Sequence, residues 1–326
     1  MISKEKVLVT GGAGFIGSHI ADLLIKTGYD VIIVDDLSAG KTENIPRIAR
    51  FYKIDINDPD FKDIFKKEKP AYVCHQAAQI SVSYSVKHPR LDAQRNVMGL
   101  LNVLDYACQY QAKGIVFSSS GGTVYGEPKK FPVTEFYPFS PNSPYGIAKM
   151  ASEYYLDFYY RFYHLNYVSL RYGNVYGPRQ DPFGEAGVIS IFIQKMLNGE
   201  TPTINGDGEY IRDYIYVEDV AFACLLSIQN MLKLSRLRKD NGWQDCFHAF
   251  NIGTGVGSSV NQLYHLLQEI VDFSDKANYG PPRPGDLRKN ILNCQSAKEM
   301  LGWEASYNLK SGLARTVEWF TKKCNS

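Results

Sequence analysis

The chain has 326 residues, 44% of them hydrophobic and 21% charged, with a formal net charge of +2. This is a globular composition with room for one large or two ordinary domains. The basic runs 65–69 and 236–239 are short and mixed, and no run approaches ~18 apolar residues, so neither a nucleic-acid partner nor a membrane span is expected.

The N-terminal "MISKEKVLVTGG" carries an apolar run too short for a secretory signal. Residues 7–11 read as a buried strand, and a helix is expected over 16–27. Between them Gly11, Gly14 and Gly17 follow the spacing G-x-x-G-x-x-G. Glycine permits a tight turn and lets the backbone approach a pyrophosphate. The helix N-terminus behind it offers unpaired N–H groups and a positive dipole end. The strand at 31–35 ends in Asp35, 18 residues after Gly17. An acid at that place suits the adenosine ribose hydroxyls of a dinucleotide. Its charge repels the extra phosphate of NADP, so NAD is favoured.

Further strands are expected at 51–55, 71–78, 114–120 and 167–177, with helices at 60–68, 92–111 and 145–164. Apolar strands without alternation, separated by helices, indicate a parallel sheet covered on both faces. The fold class is therefore α/β, a Rossmann-like doubly wound parallel sheet with its ligand at the carboxyl ends of the strands. After about residue 176 the texture changes. Residues 177–187 are turn-rich, 205–220 read as a turn, a strand and a helix start, and 280–286 form a loop. The expected organisation is an NAD-binding domain over 1–175 and a smaller C-terminal α/β substrate domain over 176–326. Part of the segment about 212–250 is expected to return to the first domain, and 229–247 reads as a surface insertion. The six cysteines are scattered and form no C-x-x-C. Neither disulfides nor a metal site is expected, and a reducing, cytoplasmic setting fits.

Tyr145 and Lys149 lie four apart in "SPYGIAKMASEYYLDF". With 23 tyrosines in the chain, chance alone supplies such a pair, and Tyr125 with Lys129 is another. Gly126 and Pro128 argue against a helix around Tyr125. Pro144 and the helix-forming residues after it put Tyr145 and Lys149 on one helical face. The Lys149 ammonium is then expected to lower the Tyr145 pKa from its free value of ~10, giving a base for an alcohol proton. The hydroxyl-rich "FSSSGGTVYG" (117–126) follows a predicted strand and offers a third group to orient that alcohol. Aromatic residues nearly circle the helix 145–164, which argues for a partner helix on its outer face.

"VTGGAGFIGSH", "HQAA", "NVMG", "SSSGGTVYGE", "SPYGIAK", "RYGNVYGPRQ", "GDGEYIRDYIYVEDV", "NIGTG" and "LGW" occur in this order. Together they resemble the extended short-chain dehydrogenases/reductases, most closely the NAD-dependent UDP-sugar 4-epimerases, over nearly the whole chain. The resemblance implies isomerisation at C4 of a UDP-sugar, by transient hydride transfer to tightly bound NAD through a 4-keto intermediate, in a homodimer. It implies that Gly11, Gly14, Phe15, Ile16 and Gly17 wrap the NAD pyrophosphate. Asp35, Asp36 and Ser38 then meet the adenosine ribose or its surroundings, and Asp55 and Ile56 border the adenine. Ala77, Ala78, Gln79 and Ser118 line the cofactor path, with Asn96 behind it. Tyr145 and Lys149 match the family's base pair, and Tyr172 and Asn174 its contacts to nicotinamide and sugar nucleotide. Val188 and Ile189 face the uracil, while Arg212, Tyr214, Arg283 and Asp286 hold the UDP.

Two departures from the family pattern matter. Gly121 stands where the family carries a catalytic Ser or Thr. Gapping the loop by one residue brings Ser120 into that role, with Thr123 as the second candidate. Relatives that dehydrate or decarboxylate carry acids where this chain has Gly122 and Thr123, so simple epimerisation is favoured. Asn290 stands near a position that is a tyrosine in some glucose-restricted members, so a sugar with a C2 N-acetyl group is expected to fit. The rival readings are an NAD(P)-dependent nucleotide-sugar reductase or dehydrogenase and a non-catalytic NAD-sensing protein.

Overall fold

The computed structural model describes residues 4–183, 187–240, 248–282 and 286–324. The first half alternates strands with helices. In order they are β1 (Lys6–Thr10), α1 (Phe15–Lys26), β2 (Asp30–Asp35), β3 (Arg50–Lys53), α2 (Phe61–Glu68) and β4 (Tyr72–His75). Then come α3 (Val82–Lys87), α4 (Pro89–Ala93), α5 (Gly99–Gln109), β5 (Gly114–Ser120), α6 (Pro144–Tyr163), β6 (Asn166–Tyr172) and β7 (Asn174–Tyr176). The second half holds α7 (Val188–Leu197), β8 (Thr203–Asn205), β9 (Ile211–Tyr216), α8 (Val217–Asp240) and β10 (Ala249–Ile252). It ends with β11 (Gly257–Ser259), α9 (Val260–Val271), β12 (Asn278–Gly280) and α10 (Leu309–Cys324).

Seven strands form one parallel sheet in the order β10-β6-β5-β4-β1-β2-β3. The strand order reverses between β1 and β4, which is where a doubly wound sheet opens its ligand crevice. The apolar runs have a direct cause in this architecture. Along β1, Val7 and Val9 enter one buried cluster while Leu8 enters the other. Both faces are covered, so no polar alternation survives. A third cluster, built from α7, α9, α10 and β9, forms the core of the remaining chain.

Four expectations are corrected in detail. The strand expected over 71–78 stops at His75, and residues 76–79 leave the sheet. The helix expected over 92–111 begins instead at Pro89 and passes through a π-turn at Gln94–Met98 before α5. The strand expected over 167–177 is two strands. Gly173 divides them, and a Cβ there would lie 2.9 Å from the Asp213 carbonyl oxygen. There the chain leaves β6 in the large sheet and pairs with β9 in a second sheet. The segment 229–247 is no surface insertion as far as it is described. Residues 229–240 continue α8, with Met231 and Leu234 buried in the main core, and residues 241–247 lie outside the described residues.

Candidate active site

One cavity of about 350 Å³ opens at the carboxyl ends of β1, β2, β4 and β5. Its wall contains Gly11, Gly14, Phe15, Ile16, Gly17, Asp35, Asp36, Ser38, Asp55, Ile56, Ala77, Ala78, Gln79, Ser118, Tyr145, Lys149 and Tyr172. The whole expected cofactor set is there except Asn96. That residue sits on the π-turn one layer behind, its amide accepting from the Gln79 N–H and donating to the Gln79 carbonyl. A π-turn next to a cavity is a common device for aiming a side chain.

The shape of the wall suits a dinucleotide. Gly11 has φ +67°, and a Cβ on it would lie 2.7 Å from the Ala77 nitrogen. A Cβ on Gly17 would come within 2.2 Å of the Gly11 carbonyl oxygen. Side chains at either place would fill the cradle or push α1 off the sheet. The N-terminus of α1 has no side-chain cap, so its N–H groups remain available to a phosphate. At the other end Asp35 is buried, and its carboxylate accepts from the Ala13 and Leu37 N–H groups at 3.0 and 2.9 Å. Each oxygen keeps a lone pair for a ribose hydroxyl. Burial raises the Asp35 pKa against these hydrogen bonds. Asp36 accepts from the Ser38 N–H and hydroxyl, and Asp55 from Asn57.

The catalytic corner lies where α6 meets β5. Ser143 caps α6, accepting from the Gly146 N–H at 3.1 Å, and Pro144 takes the first turn, where a missing N–H costs nothing. Lys149 is buried, and its ammonium donates to the Ser118 carbonyl at 2.7 Å. The ammonium also lies 4.8 Å from the Phe117 ring centre and 5.7 Å from that of Tyr145. Desolvation brings the Lys149 pKa down to about 8, against the pull of Asp92 and Glu153. Beneath it the buried His75 meets the Thr10 hydroxyl at 2.8 Å. Burial and the Lys149 charge push His75 down to about 3, so it is neutral at physiological pH.

The Ser120 hydroxyl, at the end of β5, lies near enough to the Tyr145 phenol to favour its ionised form. Thr123 Oγ1 is buried and has no partner among the described residues. The expected lowering of the Tyr145 pKa is not what this site does. Burial raises it, Asp92 raises it further, and only the Ser120 hydroxyl lowers it. The main cause is burial of the phenol, which the Lys149 ammonium, donating to the Ser118 carbonyl, does not offset.

Of the expected substrate set, Tyr145 is in this cavity wall, while the other described members lie outside it. Asn174 on β7 is exposed and faces Tyr214 across the ladder to β9. Arg212 donates to the Ile211 carbonyl and to Asp286. Val188 and Ile189 open α7, but the Ile189 side chain belongs to the third core. Asn290 is buried, its amide donating to the Gly121 carbonyl at 3.0 Å, and its Oδ1 has no partner among the described residues. Arg283 lies outside the described residues. Sequence reasoning missed Arg179, Gln180 and Asp181 in the cavity wall, since "GPRQD" reads only as a turn. It also missed Asp92, a buried carboxylate that accepts from Gln79 and Asn96.

Residues 7–253 match the model of a family described as the NAD dependent epimerase/dehydratase family. The chain superposes with a TM-score of 0.91 and 50% identity on a UDP-glucose 4-epimerase from Thermotoga maritima solved with UDP-glucose, covering 98% of this chain and 99% of that one. A UDP-glucose 4-epimerase from Thermus thermophilus in complex with NAD gives a TM-score of 0.87 at 40% identity, covering 97% and 99%. A UDP-N-acetylglucosamine 4-epimerase from Methanobrevibacter ruminantium, in complex with UDP-N-acetylmuramic acid, gives 0.89 at 36%, covering 99% and 100%. The chain belongs to the NAD-dependent epimerase/dehydratase family, in its UDP-sugar 4-epimerase branch.

Proposed function

We propose that the protein interconverts UDP-glucose and UDP-galactose at C4, and accepts their N-acetylated forms. The observation that carries this reading is that Tyr145 and Lys149, on one helix, stand in the wall of the cavity formed by the glycine loop and Asp35. Gly11, Gly14 and Gly17 hold the cofactor diphosphate, Asp35 the adenosine ribose, and Lys149 the nicotinamide ribose. When bound, NAD takes the hydrogen of C4 as hydride and later returns it to the opposite face.

The chain's own residues do the acid–base work. Ser120 orients the sugar 4-hydroxyl, and Tyr145 takes its proton as C4 becomes a carbonyl. Lys149, mostly protonated at neutral pH because its pKa is about 8, and the positive nicotinamide ring of bound NAD would together offset the burial that raises the Tyr145 pKa. Arg212 and Tyr214, with Arg283 and Asp286, hold the UDP while the 4-keto sugar turns over. A guanidinium fork fits phosphate oxygens. The return of the proton from Tyr145 completes the isomerisation. No acid stands at Gly122 or Thr123, so neither dehydration nor decarboxylation has a proton handler.

The test is incubation with a panel of UDP-sugars without added NADH. UDP-glucose should yield UDP-galactose, and UDP-N-acetylglucosamine its 4-epimer. Turnover that consumes NADH would select the reductase reading instead. No turnover of the N-acetyl sugar would show that Asn290 does not open the C2 pocket.

We place the protein in galactose metabolism and in the cytoplasm. Cys74, Cys108, Cys224 and Cys294 are free thiols, and no described helix is long and apolar enough to cross a membrane. A homodimer built on α6 and the 89–109 helices accounts for the exposed Tyr154, Phe158, Phe162, Leu91 and Met98. Light scattering that returned a single chain mass would overturn the dimer.

A further inference from the structure

We propose that Arg179 is a cofactor-binding residue that clasps the diphosphate of the dinucleotide, and that segment 178–181 straps the cofactor in place. The inference rests on the epimerase reading and adds a ligand to its cofactor site. The segment follows β7 and is pinned to the first half of the chain at three points. The Arg179 Nη2 lies 2.7 Å from the Asp22 carboxylate on α1. His19, also on α1, donates from Nε2 to the Pro178 carbonyl at 3.0 Å. Asp181 pairs with Lys41 at 3.8 Å. Arg179, Gln180, Asp181 and Lys41 all stand in the cavity wall.

Arg179 is held in an uncommon backbone conformation, φ +69°. For a long side chain that costs free energy and persists only where the surroundings impose it. Here it brings the guanidinium to α1. One nitrogen goes to Asp22. The other, Nη1, is buried and has no partner among the described residues. A buried donor without an acceptor is costly, and a planar guanidinium beside a phosphate cradle is the group whose geometry two phosphate oxygens satisfy. The uncapped N-terminus of α1 lies in the same wall, so main-chain and side-chain donors converge on one anion. The chemistry explains the need. Epimerisation leaves the cofactor unchanged after each cycle, and a cofactor lost midway would strand the 4-keto sugar. Retention, not exchange, is what the reaction requires.

The test reads cofactor retention. Wild type, Arg179→Ala, Arg179→Lys and Asp22→Asn are loaded with NAD and desalted. Bound NAD is measured by chromatography of the denatured protein, and Kd by calorimetry. Arg179→Ala should raise the NAD Kd about tenfold or more and emerge depleted, with activity recovering on added NAD. Arg179→Lys should fall between it and wild type. Asp22 is 44% exposed at its side chain, so Asp22→Asn keeps the fold. It should lose NAD severalfold faster at unchanged Tm. Arg179→Ala with wild-type Kd and retention overturns the strap while leaving epimerisation standing. Unchanged retention in Asp22→Asn overturns the pinning to α1. Wild-type protein that binds no NAD overturns the strap together with the reading beneath it.

Discussion

Ser120 and Thr123 compete for one role, and their surroundings separate them. Ser120 ends β5 beside the Tyr145 phenol, whereas Thr123 Oγ1 is buried without a partner among the described residues. Ser120→Ala should lower kcat by about 10²-fold, the scale of one positioned proton-handling group. Thr123→Ala should lower it severalfold at most. Steady-state kinetics at saturating UDP-glucose decides, and a larger loss in Thr123→Ala would exchange the assignments. The identities of Tyr145 and Lys149 were legible because a helical frame and a glycine loop surrounded them. The direction of the Tyr145 pKa was not, since it depends on burial, on Asp92 and on where the Lys149 ammonium points. His75 gives a second residue-scale prediction. Its pKa is about 3 in the folded protein against 6.5 when free. Between these values the unfolded chain binds the proton and the folded chain does not, so stability rises with pH there. The contribution is complete above pH 6.5 and is lost as pH falls towards 3, at up to about 1.4 kcal/mol per pH unit. Denaturant unfolding from pH 7 to 4 should show this slope flattened in His75→Gln. An equal slope in both proteins would contradict it.

The elements hold the site through a buried polar network that no local pattern announces. Glu153 lies one turn beyond Lys149 on α6. Its carboxylate accepts from Arg171 on β6 at 2.6 to 3.2 Å and from the Ser119 hydroxyl on β5 at 2.5 Å. Arg171 also donates to the Tyr125 hydroxyl, which donates to Asn251 on β10. Thus Tyr125, whose spacing to Lys129 imitates a catalytic pair, is a structural partner of Arg171. Glu153 and Arg171 are almost wholly buried. Removing one partner strands the other's charge, so Glu153→Gln should cost about 3–5 kcal/mol, read as a fall in the denaturant midpoint. A change below ~1 kcal/mol would contradict the role. The sequence showed where strands and helices lie because their periods are local. It hid the break at Gly173, the π-turn that aims Asn96 and the burial of Met231 and Leu234 in α8, because contacts distant in sequence impose those features.

At the scale of the whole molecule, the large sheet presents a dinucleotide crevice, and segment 178–181 of the second half contributes Arg179, Gln180 and Asp181 to its wall. The Asn290 amide on the Gly121 carbonyl and the Arg179–Asp22 pair are among the contacts that bridge the halves near the chemistry. The second half thereby touches both the catalytic loop and the helix behind the glycines. This arrangement keeps one cofactor in place while a substrate anchored by its diphosphate offers either face of C4. The most direct test of that account is the fate of the hydrogen on C4. Protein loaded with NAD is given UDP-glucose deuterated at C4, in ordinary water without added NADH, and the product is examined by NMR. The account predicts UDP-galactose that keeps its deuterium at C4. Loss of the label to solvent, or no epimer from NAD-loaded protein, would contradict it.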